Sequence, residues 1–413
     1  MTASNRRQRA LILNQYVVPD TTASARYVFM IARALADVGM DVTVLAAEPR
    51  YHDQLFNAPR RELREGVRIV RQPLGRWAGH RSKVRRFWGY LRYLAGASLL
   101  GRRIVRNTGA DLVMCFSNPP FVPLVARWLA RRAGRPLIYV IHDIHPDILI
   151  ATKWMFLPRP IVWIWEWLNR MMLNAASAVV VLGEGMRELL IAEKRVSPER
   201  VKVIPLWAEP ELRPRARDES CRAELGVGAD ELLVLSAGNL GALLWLEPVV
   251  DAARRLSGRP VQFVFVAAGA RVDYWRARFD GLTNVRFLPY GTHEFLVRIV
   301  AACDAGLVAL RPGMERLAVP SRAYTFLSAG RPLVTVMDRQ ADLGRLVAEC
   351  NCGFNAVDGA ALAALLERNV ANRATLEESG KRAREVYEER FKREVVVKRY
   401  VALCSASLAS QPS

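Results

Sequence analysis

Six cysteines in 413 residues are too few and too scattered for a disulfide framework. They stand at 115, 221, 303, 350, 352 and 404, in apolar or helical surroundings. Only Cys350-Asn351-Cys352 is close-set, and nothing with metal-ligand spacing lies beside it. Buried thiols in a reducing compartment fit this pattern better than a secreted, stapled module. Long apolar runs are missing too: no uncharged stretch reaches the ~18 residues that span a bilayer. The start, Met1 to Arg7, is basic but runs straight into an apolar strand, without the separate apolar stretch and cleavage site of a signal peptide. The expected place is the cytoplasm, at the inner membrane surface. Acids are short as well, with 40 Asp+Glu against 60 Lys+Arg and a net charge of +20. That excess implies an anionic partner: a membrane surface, nucleic acid or a phosphorylated substrate.

A composition of 51% hydrophobic and 24% charged residues is that of a globular chain long enough for two domains. Arg9 to Gln15 reads as a strand and Ser24 as the cap of a helix ending at Gly39; Asp41 to Ala46 is the next strand. Further strands are expected at 111–115, 137–141, 178–182 and 201–204. Pro205 to Asp218, rich in Pro and charge, reads as a linker. The pattern then restarts at Leu232, with strands at 263–267, 285–288, 305–310 and 333–336 and a charged helix from about Leu376. The expectation is α/β: two facing doubly wound, Rossmann-like domains, binding ligands at the carboxyl ends of their strands. Their bounds are 1–208 and 209–385, with a terminal helix over 386–413 returning to the first.

Val319-Pro320-Ser321-Arg322 leads into a helix that stops at Gly330-Arg331-Pro332 before a buried strand. A helix start offers unpaired N–H groups to phosphate, and Arg322 adds a full charge there. Gly238-Asn239-Leu240-Gly241 follows a strand and is expected to open a helical stretch, where backbone can approach phosphate; packing alone also explains such a turn. His142 follows the strand ending at Ile141. Asp143 and Asp147 flank it and suit orienting a hydroxyl or taking its proton, or else capping the next helix.

Several runs carry a family resemblance. Asn14-Gln15-Tyr16 with Pro19-Asp20-Thr21-Thr22, His142 through Asp147, Ser236 through Gly241, the 319–332 segment and Glu378-Ser379-Gly380 resemble, in order, bacterial family-4 glycosyltransferases of surface-polysaccharide assembly. The branch with fucosamine and colanic-acid transferases is the most similar. The resemblance implies a GT-B fold, transfer with retention, no metal or other cofactor, and a nucleotide-sugar donor carrying UDP or GDP. It places Gly269, Arg271, Pro289, Tyr290, Leu317, Val319, Ser321, Arg322 and Thr325 at the donor, with Gly238, Asn239 and Gly241. It places His142 at the transferred sugar, and Asp20, Thr21 and Thr22 at the acceptor. Two features depart from the family. Gly241 to Leu246 lacks its Arg and Lys, and Leu317 and Thr325 stand where many members have paired glutamates; Glu315 is out of register.

Between Arg71 and Arg106 there is no acid, and aromatic residues interleave the cations. Arg81, Lys83, Arg85, Arg86 and Trp88 suit an anionic membrane interface. A second apolar stretch, Trp154 to Trp167, is interrupted by Glu166 and is expected to lie on the core or the interface. The acceptor is then expected to be a polyprenyl-diphosphate-linked sugar. Three other readings stay open: an inactive scaffold of the same fold, a sugar-nucleotide epimerase and, ranked last, a nucleic-acid patch.

Overall fold

Both halves of the chain build a parallel sheet from nearly unbroken apolar strands, as sheets covered by helices on both faces do. The computed structural model describes residues 6–20, 22–51, 54–55, 58–75, 83–152 and 158–410. In the first half the strands are β1 (Arg9–Leu13), β2 (Asp41–Ala47), β3 (Arg50–Tyr51), β4 (Gln54–Leu55), β5 (Arg61–Arg64), β6 (Val67–Gln72), β7 (Leu112–Phe116), β8 (Leu137–Val140), β9 (Ala178–Val181) and β10 (Val201–Val203). Between them run α1 (Ala23–Asp37), α2 (Lys83–Asn107), α3 (Val122–Ala133), α4 (Asp147–Ala151), α5 (Arg159–Ala175) and α6 (Glu184–Ala192). The sheet order is β10-β9-β8-β7-β1-β2-β6-β5, parallel except for the edge strand β5.

The second half repeats the plan with β11 (Leu232–Asn239), β12 (Val261–Ala268), β13 (Val285–Pro289), β14 (Ala305–Ala309), β15 (Leu333–Val336) and β16 (Gly353–Ala356). Its helices are α7 (Glu219–Glu224), α8 (Glu247–Arg255), α9 (Val272–Arg278), α10 (His293–Ala302), α11 (Arg322–Ser328), α12 (Asp342–Cys350), α13 (Gly359–Ala371), α14 (Arg373–Val386) and α15 (Arg393–Ala409). The order β13-β12-β11-β14-β15-β16 is parallel throughout. A π-turn over Tyr387–Phe391 separates α14 from α15, so the single helix expected from Leu376 is two. Val396, Tyr400 and Cys404 of α15 pack into the same buried cluster as Val28 and Ile31 of α1.

Two local expectations are corrected, and two strands are added. The cap of α1 is Thr22, whose Oγ accepts from the N–H of Ala25 at 3.2 Å, not Ser24. β5 and β6 escaped notice because β5 is charged and largely exposed, and β6 alternates polar and apolar. Arg71, grouped above with the basic surface, is buried: its guanidinium donates to the carbonyls of Pro59 and Val18 and pairs with Glu62 at 2.7 Å.

The linker is anchored to both halves. Trp207 is buried, and its carbonyl accepts from the hydroxyl of Tyr27 at 2.8 Å. Glu209 pairs with Arg26 on α1 and, at 2.8 Å, with His293 on α10. Past the linker the halves touch directly. The N–H of Ile144 donates to the carbonyl of Leu317 at 3.4 Å. The N–H of Gly185 meets the Asp342 carboxylate at 3.2 Å, and Arg316 pairs with Glu193 at 3.1 Å. The loop after β8 therefore faces the loop after β14.

Candidate active site

In the second sheet β11 lies between β12 and β14, so the crossovers leave it in opposite directions and open a crevice at its carboxyl end. Gly238, the residue before the last of that strand, has φ +138, and a Cβ there would stand 3.3 Å from the Arg322 guanidinium. A glycine is what lets that guanidinium lie on the backbone. Arg322 reaches back from α11 to donate to Ser236 Oγ at 3.3 Å and the Asn239 carbonyl at 2.8 Å. Burial lowers its pKa to about 10, with Tyr290 opposing the shift, so it stays cationic at neutral pH. Asn239 turns its amide oxygen toward Gly269 (φ +118), where a Cβ would sit only 1.9 Å from that oxygen. Pro289 and Tyr290 close the end of β13, both exposed. The structure thus gathers Gly238, Asn239, Gly269, Tyr290 and Arg322 at one edge of the sheet.

Other donor-side expectations change. α8 begins only at Glu247, so the turn through Gly241 opens no helix; the N–H of Leu240 bonds to the carbonyl of Ala268 at 2.7 Å instead. Ser321 is the residue before α11, but its side chain makes no capping bond and the helix has only seven residues. So short a helix has little dipole, and Arg322 supplies the charge at this place. The Arg271 guanidinium lies over its own neighbours Tyr274 and Trp275, at 4.6 and 5.5 Å. Leu317 is buried and holds Ile144 through its carbonyl, while Thr325 is half-buried on α11. Val319 packs near Gly183 of the first half.

Facing this edge is the loop between β8 and α4. The N–H of His142 donates to Ser117 Oγ at 3.1 Å, and its ring stands edge-on to Phe116 at 5.5 Å and Tyr27 at 6.2 Å. Its Nε2 is closed off and unbonded. Burial pulls its pKa down to about 4, so at neutral pH the ring is uncharged and suits hydrogen bonding to a sugar hydroxyl. Burial pushes Asp143 up from 3.8 to about 6. That carboxyl has no hydrogen-bond partner among the described residues and stays partly open. Asp147 is occupied. Lys194 Nζ bonds it at 2.7 Å and Glu166 at 2.7 Å, so Asp147 serves a structural ion pair and not, as its place in the sequence suggests, as a proton acceptor.

On the acceptor side Asp20 is buried, the hydroxyl of Thr22 is spent on its helix, and Thr21 lies outside the described residues. Of the surface cations Arg81 is outside them too, as is the side chain of Lys83. Arg85 is exposed, Arg86 bonds to the hydroxyl of Tyr90 at 2.5 Å, and Trp88 is 48% exposed beside exposed Phe87. On α5, Trp163 is 72% and Trp167 57% exposed. Among the described residues no helix is long and apolar enough to cross a membrane. Lys194, Asn169, Ser117 and Tyr27 went unnoticed in the sequence. One signal was available: Glu166, a carboxylate inside a tryptophan-rich helix, requires a partner.

Residues 22–207 match the model of the glycosyl transferase 4-like domain. The chain is a glycosyltransferase. It is 28% identical over 270 residues to WbjE of Pseudomonas aeruginosa, which is named as a glycosyltransferase, covering 63% of this chain and 66% of that one. It is 25% identical to WcaI of Escherichia coli K12, which is named for colanic acid biosynthesis glycosyl transfer, over 79% of this chain and 83% of the relative. Among solved structures it superposes on Anabaena HepE in complex with UDP and glucose, with TM-score 0.70 and 18% identity, over 97% of this chain and all of that one. A likeness at that identity establishes the fold, and the fold of this glycosyltransferase is GT-B.

Proposed function

We propose that this glycosyltransferase moves a sugar from a nucleotide-sugar to a polyprenyl-diphosphate-linked acceptor in surface-polysaccharide assembly, at a membrane, with retention and without metal. The observation that carries the donor half is the charged Arg322 guanidinium lying on the Gly238–Asn239 backbone at the switch point of the second sheet. A diphosphate there receives the full positive charge of Arg322. As the bond from the sugar C1 to the phosphate oxygen breaks, its electron pair passes to that oxygen, and Arg322 stabilises the growing charge. Neutral His142 donates or accepts one hydrogen bond at the sugar. The acceptor hydroxyl bonds to C1 and gives up its proton to Asp143, whose pKa of about 6 keeps it largely ionised at neutral pH yet basic enough to serve. The complex of HepE with UDP and glucose and the naming of WcaI support the donor class and the pathway class.

The acceptor half rests on the outer faces of α2 and α5. α2 has cations and exposed Phe87, Trp88 and Leu91 and no acid, a composition drawn to anionic headgroups. A thermal-shift screen of UDP- and GDP-sugars identifies the donor, because a ligand of the folded form raises the melting temperature. Transfer from that donor to a polyprenyl-diphosphate sugar in anionic vesicles then tests the reaction. Indifference to every nucleotide-sugar rejects the reading, as does donor conversion without acceptor.

A further inference from the structure

α5 has two unlike faces. Outward it shows Ile161, Trp163, Ile164 and Trp167, all exposed, between Arg159 and Arg170. Its one acid, Glu166, is withdrawn from that face: Lys194 Nζ takes both carboxylate oxygens, at 2.7 and 2.8 Å. The outer face is therefore apolar and cationic, complementary to an anionic bilayer.

Inward the same helix grips the loop that carries His142 and Asp143. Asn169, buried one turn beyond Glu166, donates to the carbonyl of His145 at 2.8 Å. Trp165 stacks near the His145 ring at 6.3 Å. Lys194, 4% exposed in its side chain, bonds Glu166 on one side and Asp147 on the other, so one cation joins α5 to the first residue of α4. The loop is thus tied at His145 and Asp147 from behind and at His142 and Ile144 from the front. A lysine shared by two carboxylates in a partly desolvated place holds both, since its loss leaves two negative charges without a cation.

We propose that Lys194 is a positioning residue for the transfer reaction: it makes the His142–Asp147 loop follow α5, so that an anionic lipid surface gripping the outer face of α5 also fixes the loop. The second half of this statement rests on the membrane reading above; the first does not. Lys194 touches no reacting group and acts through Asp147, Glu166 and the loop they frame.

The test is amide exchange on the full chain, alone and with phosphatidylglycerol–phosphatidylcholine vesicles, beside vesicle co-sedimentation. Without lipid, Lys194→Met should exchange the 142–152 segment roughly tenfold faster than the parent, as a segment loses protection when its local contacts go. Lys194→Arg should restore the parent rate. Equal rates in parent and Lys194→Met overturn the positioning role. With vesicles, the parent should slow in both 159–175 and 142–152, whereas Lys194→Met should co-sediment and slow in 159–175 only. Slowing of both segments in Lys194→Met overturns the coupling. A parent that ignores vesicles overturns the coupling and the membrane reading together, while the lipid-free arm still decides the positioning role. Should circular dichroism show Lys194→Met unfolded, Glu166→Gln takes its place in every arm.

Discussion

Replacing Asp143 by Asn should make the protein more stable and inactive, and the gain should depend on pH. The pKa of Asp143 rises from 3.8 to about 6 on folding, because burial penalises its charged form. Below about pH 4 both folded and unfolded chains hold the proton, and the substitution changes little. Between pH 4 and 6 the folded chain keeps a proton the unfolded one has lost, so stability falls as pH rises. Above pH 6 the whole penalty is present. A shift from 3.8 to about 6 corresponds to ~3 kcal/mol. The carboxyl is partly open to the cleft, so about 1–2 kcal/mol is the discounted figure. For a domain of this size each kcal/mol moves Tm by ~2–4 °C. Asp143→Asn should therefore melt roughly 3–6 °C higher at pH 7.5 and with the parent at pH 4. His142 runs the other way. Its folded pKa of about 4 lies below its ordinary 6.5, so its contribution is complete above pH 6.5 and is lost as pH falls through 4. The two nearly cancel between pH 4 and 6 in the parent, so His142→Asn should uncover the Asp143 term, with stability falling as pH rises from 4 to 6. Differential scanning fluorimetry from pH 4 to 8, beside transfer assays, measures both. A pH-independent change in Tm, or a loss at pH 7.5, would refute the account of a desolvated, functional carboxylate.

Arg322→Ala should weaken UDP or GDP, whichever the parent binds, by roughly 10- to 100-fold, the loss of a charge-assisted contact worth ~1.5–3 kcal/mol; unchanged affinity in titration calorimetry rejects the phosphate contact. Gly269→Ala should also weaken the nucleotide, because its Cβ would meet Asn239 Oδ1 at 1.9 Å and push that side chain off its seat. If Gly269→Ala binds like the parent, the Asn239–Gly269 contact does not shape the site.

The two parallel sheets were legible because their strands are apolar on both faces, as Leu232 to Leu235 are, and such runs between helical stretches admit few arrangements. Strands without that signature were not legible. β5 is charged, and β16 is short and begins with glycine. The donor edge was readable in part, since Gly238, Gly269 and Arg322 are residue types whose backbone freedom or charge has local meaning. Roles decided by a distant partner were not readable: Asp147 read as a proton acceptor until Lys194, 47 residues away, proved to hold it, and Arg71 read as surface until Glu62 and two carbonyls enclosed it.

Periodicity and local backbone chemistry act between near neighbours, so the chain alone determined its two α/β units and the residue types at the glycine–arginine edge of the second. Burial and pairing are set by groups far apart in sequence. Only the folded molecule could decide that His142 is neutral, that Asp143 keeps a proton to about pH 6, and which carboxylates are already spent on cations.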